Sequence, residues 1–440
     1  MSSLPIRLDQ ASEGSMASPL SGPPLSPAHS ESSHLLTEWE DEWYQVLRTE
    51  IVRLAPELTK ISHEIFDNPE IGGEEVLACR LLSEFLERHE FHIEPAPANL
   101  PTAFLATFET EDYDEHSRVI GFFTEYDALP EIGHACGHNL IAVGSVASAI
   151  ATKHAMVHFG LRGSIQVFGS PDEENLGGKI EFIDAGLLKY PDVCLMAHPG
   201  NQDIALMRTL ALQSVSVHYH GKAAHAAVMP WEGMNALDAI VQTYQAIAMY
   251  RQEMPPGAMV HGIITDGGRA CNVIPNHASA SYILRSDTKA TLGRLKSRVT
   301  DIFEGAVRAT GCQLRHSWDP MYMEMNLNRN LAGQYQYYME KLYQVQFPTA
   351  LEQESRATAS TDMGNVSFVK PSIHTMYRVG VGTTCSLHTE GFRNACKSNV
   401  AHERTWKAGV VMAMVGLKVL ADDDFFDQVH KEFRTTNRQP

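Results

Sequence analysis

Basic residues are scarce in this 440-residue chain: 35 lysines and arginines stand against 53 acidic residues, a formal net charge of -18. A polyanion such as DNA would be repelled overall, which sets nucleic acid aside as a partner. Cysteine is sparse too. The seven residues Cys79, Cys136, Cys194, Cys271, Cys312, Cys385 and Cys396 are an odd number scattered along the chain, unlike a secreted disulfide scaffold, so reduced thiols are expected. Long apolar runs are missing: those present are broken by Gly, Ser and charge and read as too short to span a bilayer, and MSSLPIRLDQ has no signal-peptide core. The expectation is a cytoplasmic protein without a membrane partner. What remains is ordinary globular composition, 44% hydrophobic and 20% charged, with length for two or three domains.

Residues 1–34 are half Ser, Pro and Gly and read as a disordered tail. From Leu35 the apolar spacing turns helical, predicting long surface helices. Between about 100 and 200, the runs TAFLATFE, VIGFFTEYD, SIQVFGS and VCLMAHPG alternate with helix-like stretches. That alternation predicts an α/β domain with a mostly parallel sheet flanked by helices, whose functional groups gather at the carboxyl ends of the strands. From about 209 the order becomes strand, helix, strand, strand, helix, strand, which is that of a ferredoxin-like α+β sandwich. The predicted division is a catalytic domain of residues 35–208 and 323–440 with an inserted lid domain of residues 209–322.

Chemistry concentrates where β-like runs end. VIGFFTEYDALPEIGHACGHN supplies Asp127, His134, Cys136 and His138; SIQVFGSPDEEN supplies Asp172, Glu173 and Glu174; VCLMAHPG supplies His198; MYRVGVGTTCSLHTEGF supplies His388. Ligands on neighbouring parallel strands would converge on one rim. Thiolate, imidazole and carboxylate together suit zinc and neighbouring transition metals, whereas calcium or magnesium asks for oxygen alone. Of the adjacent glutamates, one can bind an ion while the other moves a proton. His134 reads as structural. In the insert, HGKAAHAAVMPWEGMNALDA aims His225 outward as a donor for an oxyanion. Asn272 can hydrogen-bond a carbonyl, and Arg285 can fork onto a carboxylate.

EYDALPEIGHACGHN, GSPDEENLGGK, MAHPG, GKAAHAAVMPWEGMNALDA, RACNVIP and SLHTEGF resemble the successive signatures of the M20 metallopeptidase and amidohydrolase family, and TDMGNVS resembles its amidohydrolase-like branch. The resemblance implies a zinc-peptidase-like catalytic domain and a lid used for homodimerisation. It implies that Cys136, His138, Glu174, His198 and His388 bind one or two divalent ions, zinc first and manganese or cobalt as alternatives. Glu173 would be general base and acid, Asp127 would orient a ligand, and His225 would serve the other subunit of a dimer. Asn272 and Arg285 would hold the amide and carboxylate of the substrate, a dipeptide or N-acyl amino acid. Two positions depart from the family pattern: Asn139 stands where many relatives have Asp, and Glu125 where other branches have a ligating His. The implied activity is metal-dependent hydrolysis of an amide bond. The alternatives are amide chemistry in the forming direction or a binding protein on the same fold, and a Cys136 nucleophile with His138 as its base.

Overall fold

The computed structural model describes residues 36–355, 357 and 359–437; the tail expected at 1–34 lies outside them. Helix Glu38–Asp67 opens on a capping box in which the Thr37 hydroxyl accepts from the Glu40 amide and the Glu40 carboxylate accepts from the Thr37 amide. Its apolar face, Leu47, Ile51, Leu54 and Leu58, is buried, so this expected surface helix covers the core along one stripe.

Two sheets organise the chain. The first holds β1 (His92–Pro95), β2 (Phe104–Glu109), β3 (Val119–Glu125), β4 (Ser164–Ser170), β5 (Val193–Gly200) and β10 (Ser372–Arg378), in the order β1-β2-β4-β3-β5-β10. The contiguous set β4-β3-β5-β10 is parallel, as expected for VIGFFTE and SIQVFGS, whose seven positions each are all buried. β1 and β2 pair antiparallel. The sheet is therefore mixed: β2, within TAFLATFE, pairs antiparallel with β1 on one side and with β4 on the other.

Helix His138–Phe159 packs against this sheet together with helices Glu38–Asp67 and Asn399–Ala421. Contrary to the expectation from interrupted runs, it is long and apolar enough to cross a membrane; 78% of its most apolar window is buried inside the protein, as in a core helix.

The second sheet holds β6 (Ala211–His220), β7 (Met259–Asp266), β8 (His277–Ser286) and β9 (Gln313–Trp318), ordered β7-β8-β6-β9 and wholly antiparallel. Alternate residues of β6, Val215, Val217 and Tyr219, face helices Ala236–Tyr250 and Lys289–Thr310 in a separate apolar core. This is the ferredoxin-like order expected from the sequence.

Candidate metal centre and active site

The carboxyl ends of four parallel strands deliver the candidate groups. β3 runs through Glu125 to Asp127, β4 turns through Asp172 into Glu173 and Glu174, β5 carries His198, and His388 lies in the loop after β10. Cys136 and His138 flank Gly137, whose φ of 86° is left-handed; a Cβ there would lie 2.6 Å from Pro199 Cγ. Glycine at 137 thus lets the chain pass close to β5 while it aims both neighbours at His198.

Hydrogen bonds fix how the two buried histidines face. His138 Nδ1 donates to Asp127, 2.8 Å from Oδ1 and 2.9 Å from its carbonyl oxygen, and His198 Nδ1 donates to the Pro199 carbonyl at 2.6 Å. Both Nε2 lone pairs are therefore free to face the centre. His138 Nε2 lies 3.6 Å from Glu125 Oε2, 3.9 Å from Glu174 Oε1 and 4.0 Å from Glu173 Oε2. Cys136 Sγ lies 3.5 Å from His198 Nε2, and His388 Nε2 lies 3.4 Å from Glu174 Oε1. Cys136, His138 and His198 bring ligand atoms within 4.8 Å of one another, as do Cys136, Glu174 and His388, so Cys136 links the two sets. Buried His138 Nε2, Glu125 Oε2 and Glu174 Oε1 have no hydrogen-bond partner within the protein. Unpaired buried acceptors of these types at these separations fit a thiolate, imidazole and carboxylate site for a divalent cation.

The glutamate-bearing turn is clamped from three sides. Glu75 Oε1 accepts from the Asp172 amide at 2.8 Å, Asp127 Oδ2 from the Glu174 amide at 3.0 Å, and the Tyr322 hydroxyl donates to the Glu173 carbonyl at 2.6 Å. Burial, followed by the charges of Glu125, Glu174 and Asp362, pushes the Glu173 carboxyl well above the usual carboxylate range. Burial acts the same way on Glu174, but the neighbouring imidazoles of His388, 3.4 Å from Oε1, and of His138 outweigh it and hold that carboxyl low. Burial brings His198 down to about 4, which favours a neutral ring.

Other sequence-predicted residues lie apart from this centre. His225 is exposed at the end of β6, its Nδ1 accepting from the amides of Ala227 and Val228. Asn272 is exposed beside it, its carbonyl accepting from the Ala226 amide. Arg285 is near the other end of β8, where Nη1 donates to Ser360 Oγ at 2.8 Å. From His277 to Arg285 the extended strand β8 covers roughly 27 Å. Asn139 is turned away from the centre, donating to Ser62 Oγ and the Cys396 carbonyl. His134 is buried with its ring stacked on Phe66. Cys136 Sγ lies 3.5 Å from His198 Nε2 and within 4.8 Å of a ring nitrogen of His138, and the nucleophile reading leaves the convergence of Glu174 and His388 on Cys136 without a role. Glu75, Lys179, Tyr322 and Asp362 were not singled out from sequence. Asp362 lies within TDMGNVS, whose resemblance to the narrower branch was its one signal.

Residues 211–310 match the peptidase dimerisation domain. Over 399 residues the chain is 36% identical to the human Xaa-Arg dipeptidase, covering 86% of this chain and 89% of that protein. The chain belongs to the M20 family. A p-aminobenzoyl-glutamate hydrolase polypeptide of Escherichia coli K12 is 31% identical to it, over 62% of this chain and 60% of that one. The fold is shared with the Bacillus subtilis YXEP protein, described as a dinuclear metal-binding M20 peptidase, with a TM-score of 0.59 at 18% identity, covering 84% of this chain and 99% of that one. As an M20 member the chain is a metal-dependent hydrolase of amide bonds.

Proposed function

We propose that the chain cleaves the amide bond of a dipeptide or N-acyl amino acid carrying a free carboxylate, and that Cys136, His138, Glu174, His198 and His388 hold its divalent cation. The observation that carries this reading is the convergence of five donors from four strand ends, in two sets joined at Cys136, with the Nε2 of His138 buried and unpartnered among them. When bound, the cation supplies polarisation of the scissile carbonyl and acidification of water. Glu173 takes the proton of the attacking water and passes it to the leaving amine; its raised affinity for a proton suits both halves of that task. Asp127 orients His138 and the Glu174 turn together. The mixed donor set favours zinc over manganese or cobalt.

Similarity to the Xaa-Arg dipeptidases supports a dipeptide with a basic carboxyl-terminal residue as the first substrate to try. The match to the dimerisation domain and the exposed Ile263 and Ile264 on edge strand β7 support a homodimer through the lid. In that assembly the outward-facing His225 would donate to the oxyanion in the site of the second copy, with Asn272 beside it. Seven free cysteines among the described residues support a reducing, cytoplasmic setting.

Glu173→Gln should keep its fold and its metal content while hydrolysis falls by about 10²–10⁴-fold. Dipeptide cleavage followed by amine release, beside metal analysis of the same samples, checks this; a Gln variant with near-normal turnover removes Glu173 as the base.

A further inference from the structure

Away from the metal centre, a recess of about 410 Å³ opens at the end of β10. Three stretches of chain build its wall. Gln202 and Asp203 follow β5, Gln344 and Gln346 follow helix Arg329–Tyr343, and the arginines come from the end of β10 (Arg378) and from helix Asn399–Ala421 (Arg404). None of the candidate metal ligands lines it.

The two arginines set this recess apart. Among the described residues neither guanidinium forms an ion pair, a hydrogen bond or a ring contact, and the Nε of Arg378 is buried without an acceptor. A buried donor left in that state is costly, and an acceptor brought from outside the chain would relieve it. The single acid on the wall, Asp203, spends Oδ1 on the Arg378 amide at 3.0 Å. Burial pushes its carboxyl up in spite of both guanidinium charges, so it is a weak counter-charge for two cations. In a chain with 53 acidic residues against 35 basic ones, carboxylates are plentiful, yet none pairs with either arginine. Guanidinium forks match the paired oxygens of a carboxylate or a phosphate, and the glutamines add neutral amide groups around the same space. The volume suits a small molecule.

We propose that Arg378 and Arg404 form an anion site, separate from the metal centre, for a small molecule bearing a carboxylate or phosphate group.

The test titrates the full, zinc-loaded chain with inorganic phosphate and, separately, with succinate, in chloride at constant ionic strength. At least one probe should bind saturably and slow amide exchange in the segment from Tyr343 to Pro348. Arg404→Gln removes a guanidinium that no described group engages, so in chloride it should melt as wild type does. It should bind the same probe about tenfold or more weakly, and so should Arg378→Gln. Binding of phosphate alone assigns a phosphate-bearing ligand, binding of succinate alone a carboxylate-bearing one, and binding of both the oxyanion chemistry they share. No saturable binding of either probe overturns the proposal. Binding that Arg404→Gln retains at wild-type strength also overturns it, because the anion then sits on the metal ion or elsewhere. Arg404→Gln decides by itself where Arg378→Gln does not fold.

Discussion

Asp127 divides one carboxylate between two partners, and Asp127→Asn separates them. Oδ1 accepts from His138 Nδ1 at 2.8 Å and Oδ2 from the Glu174 amide at 3.0 Å, all of it buried. Asparagine keeps one acceptor oxygen and replaces the other by a donor, so whichever way its amide turns, one partner meets N–H instead of oxygen. If the Glu174 amide loses, a buried donor is stranded at a cost of about 1–3 kcal/mol and the turn carrying both glutamates loosens. If His138 loses, nothing but the Asp127 carbonyl at 2.9 Å keeps the proton on Nδ1, and Nε2 is less firmly a lone pair. Changes to groups that orient metal ligands lower ion affinity by about 10–100-fold, which corresponds to about 1.4–2.7 kcal/mol. The same range is therefore reached from the lost hydrogen bond and from the loss of orientation. Asp127→Asn should release zinc to a competing chelator about 10–100-fold more readily than wild type, with turnover falling alongside. A variant with wild-type ion affinity and wild-type melting temperature would refute the claim that this carboxylate orients the centre.

Two further clamps on the same turn give separate readouts. Burial raises the Glu75 carboxyl from 4.5 to about 6, against opposing hydrogen bonds from Thr102 and the Asp172 amide. An acid bound more tightly to its proton in the folded state contributes stability that is complete below about 4.5 and is lost as pH rises through about 6. Relative to Glu75→Gln, which lacks that titration, wild type should lose about 1–2 kcal/mol between those limits; melting curves whose separation is the same at pH 4 and pH 7 would contradict it. Tyr322→Phe removes the donor to the Glu173 carbonyl and should destabilise the fold by about 1 kcal/mol. It should also lower kcat by roughly tenfold with KM little changed, because it disturbs the position of the base and leaves substrate contacts alone; an unaltered kcat would show that the hydroxyl does not hold the turn.

Much of the fold and of the candidate centre was legible because each group lies immediately after a local pattern. HACGHN, SPDEEN and AHPG all follow apolar runs, so the rim where parallel strands end could be assigned before any contact was known. The ferredoxin-like order of the insert was legible for the same reason, its period switching between strand and helix spacing. β2 was not, since TAFLATFE has the same composition whether it pairs parallel or antiparallel; its direction is set by the connection at 110–118, which carries no periodic signal. Helix His138–Phe159 was misjudged because burial on nearly every side gives it the composition of a membrane span. The trio Glu125, Lys179 and Asp362 was hidden more deeply. Its members are 54 and 183 positions apart from Lys179, and each taken singly reads as a solvated charge.

The two glutamates show how environment divides identical chemistry. Glu173 and Glu174 are neighbours in the chain and share one turn, yet their surroundings oppose each other. Glu173 faces carboxylates, those of Glu125 and Asp362 and the next residue, and burial compounds the repulsion. Glu174 faces imidazoles, with His388 at 3.4 Å and His138 at 3.9 Å from Oε1. A carboxylate held ionised beside soft and nitrogen donors is suited to an ion, while one held eager for a proton is suited to accept it from water and release it to an amine. Lys179 belongs to the same surroundings, because its ammonium pairs with Glu125 and Asp362, the two carboxylates that face Glu173. The lysine therefore shapes the base: an internal cation offsets the cost of burying the two acids whose proximity raises Glu173.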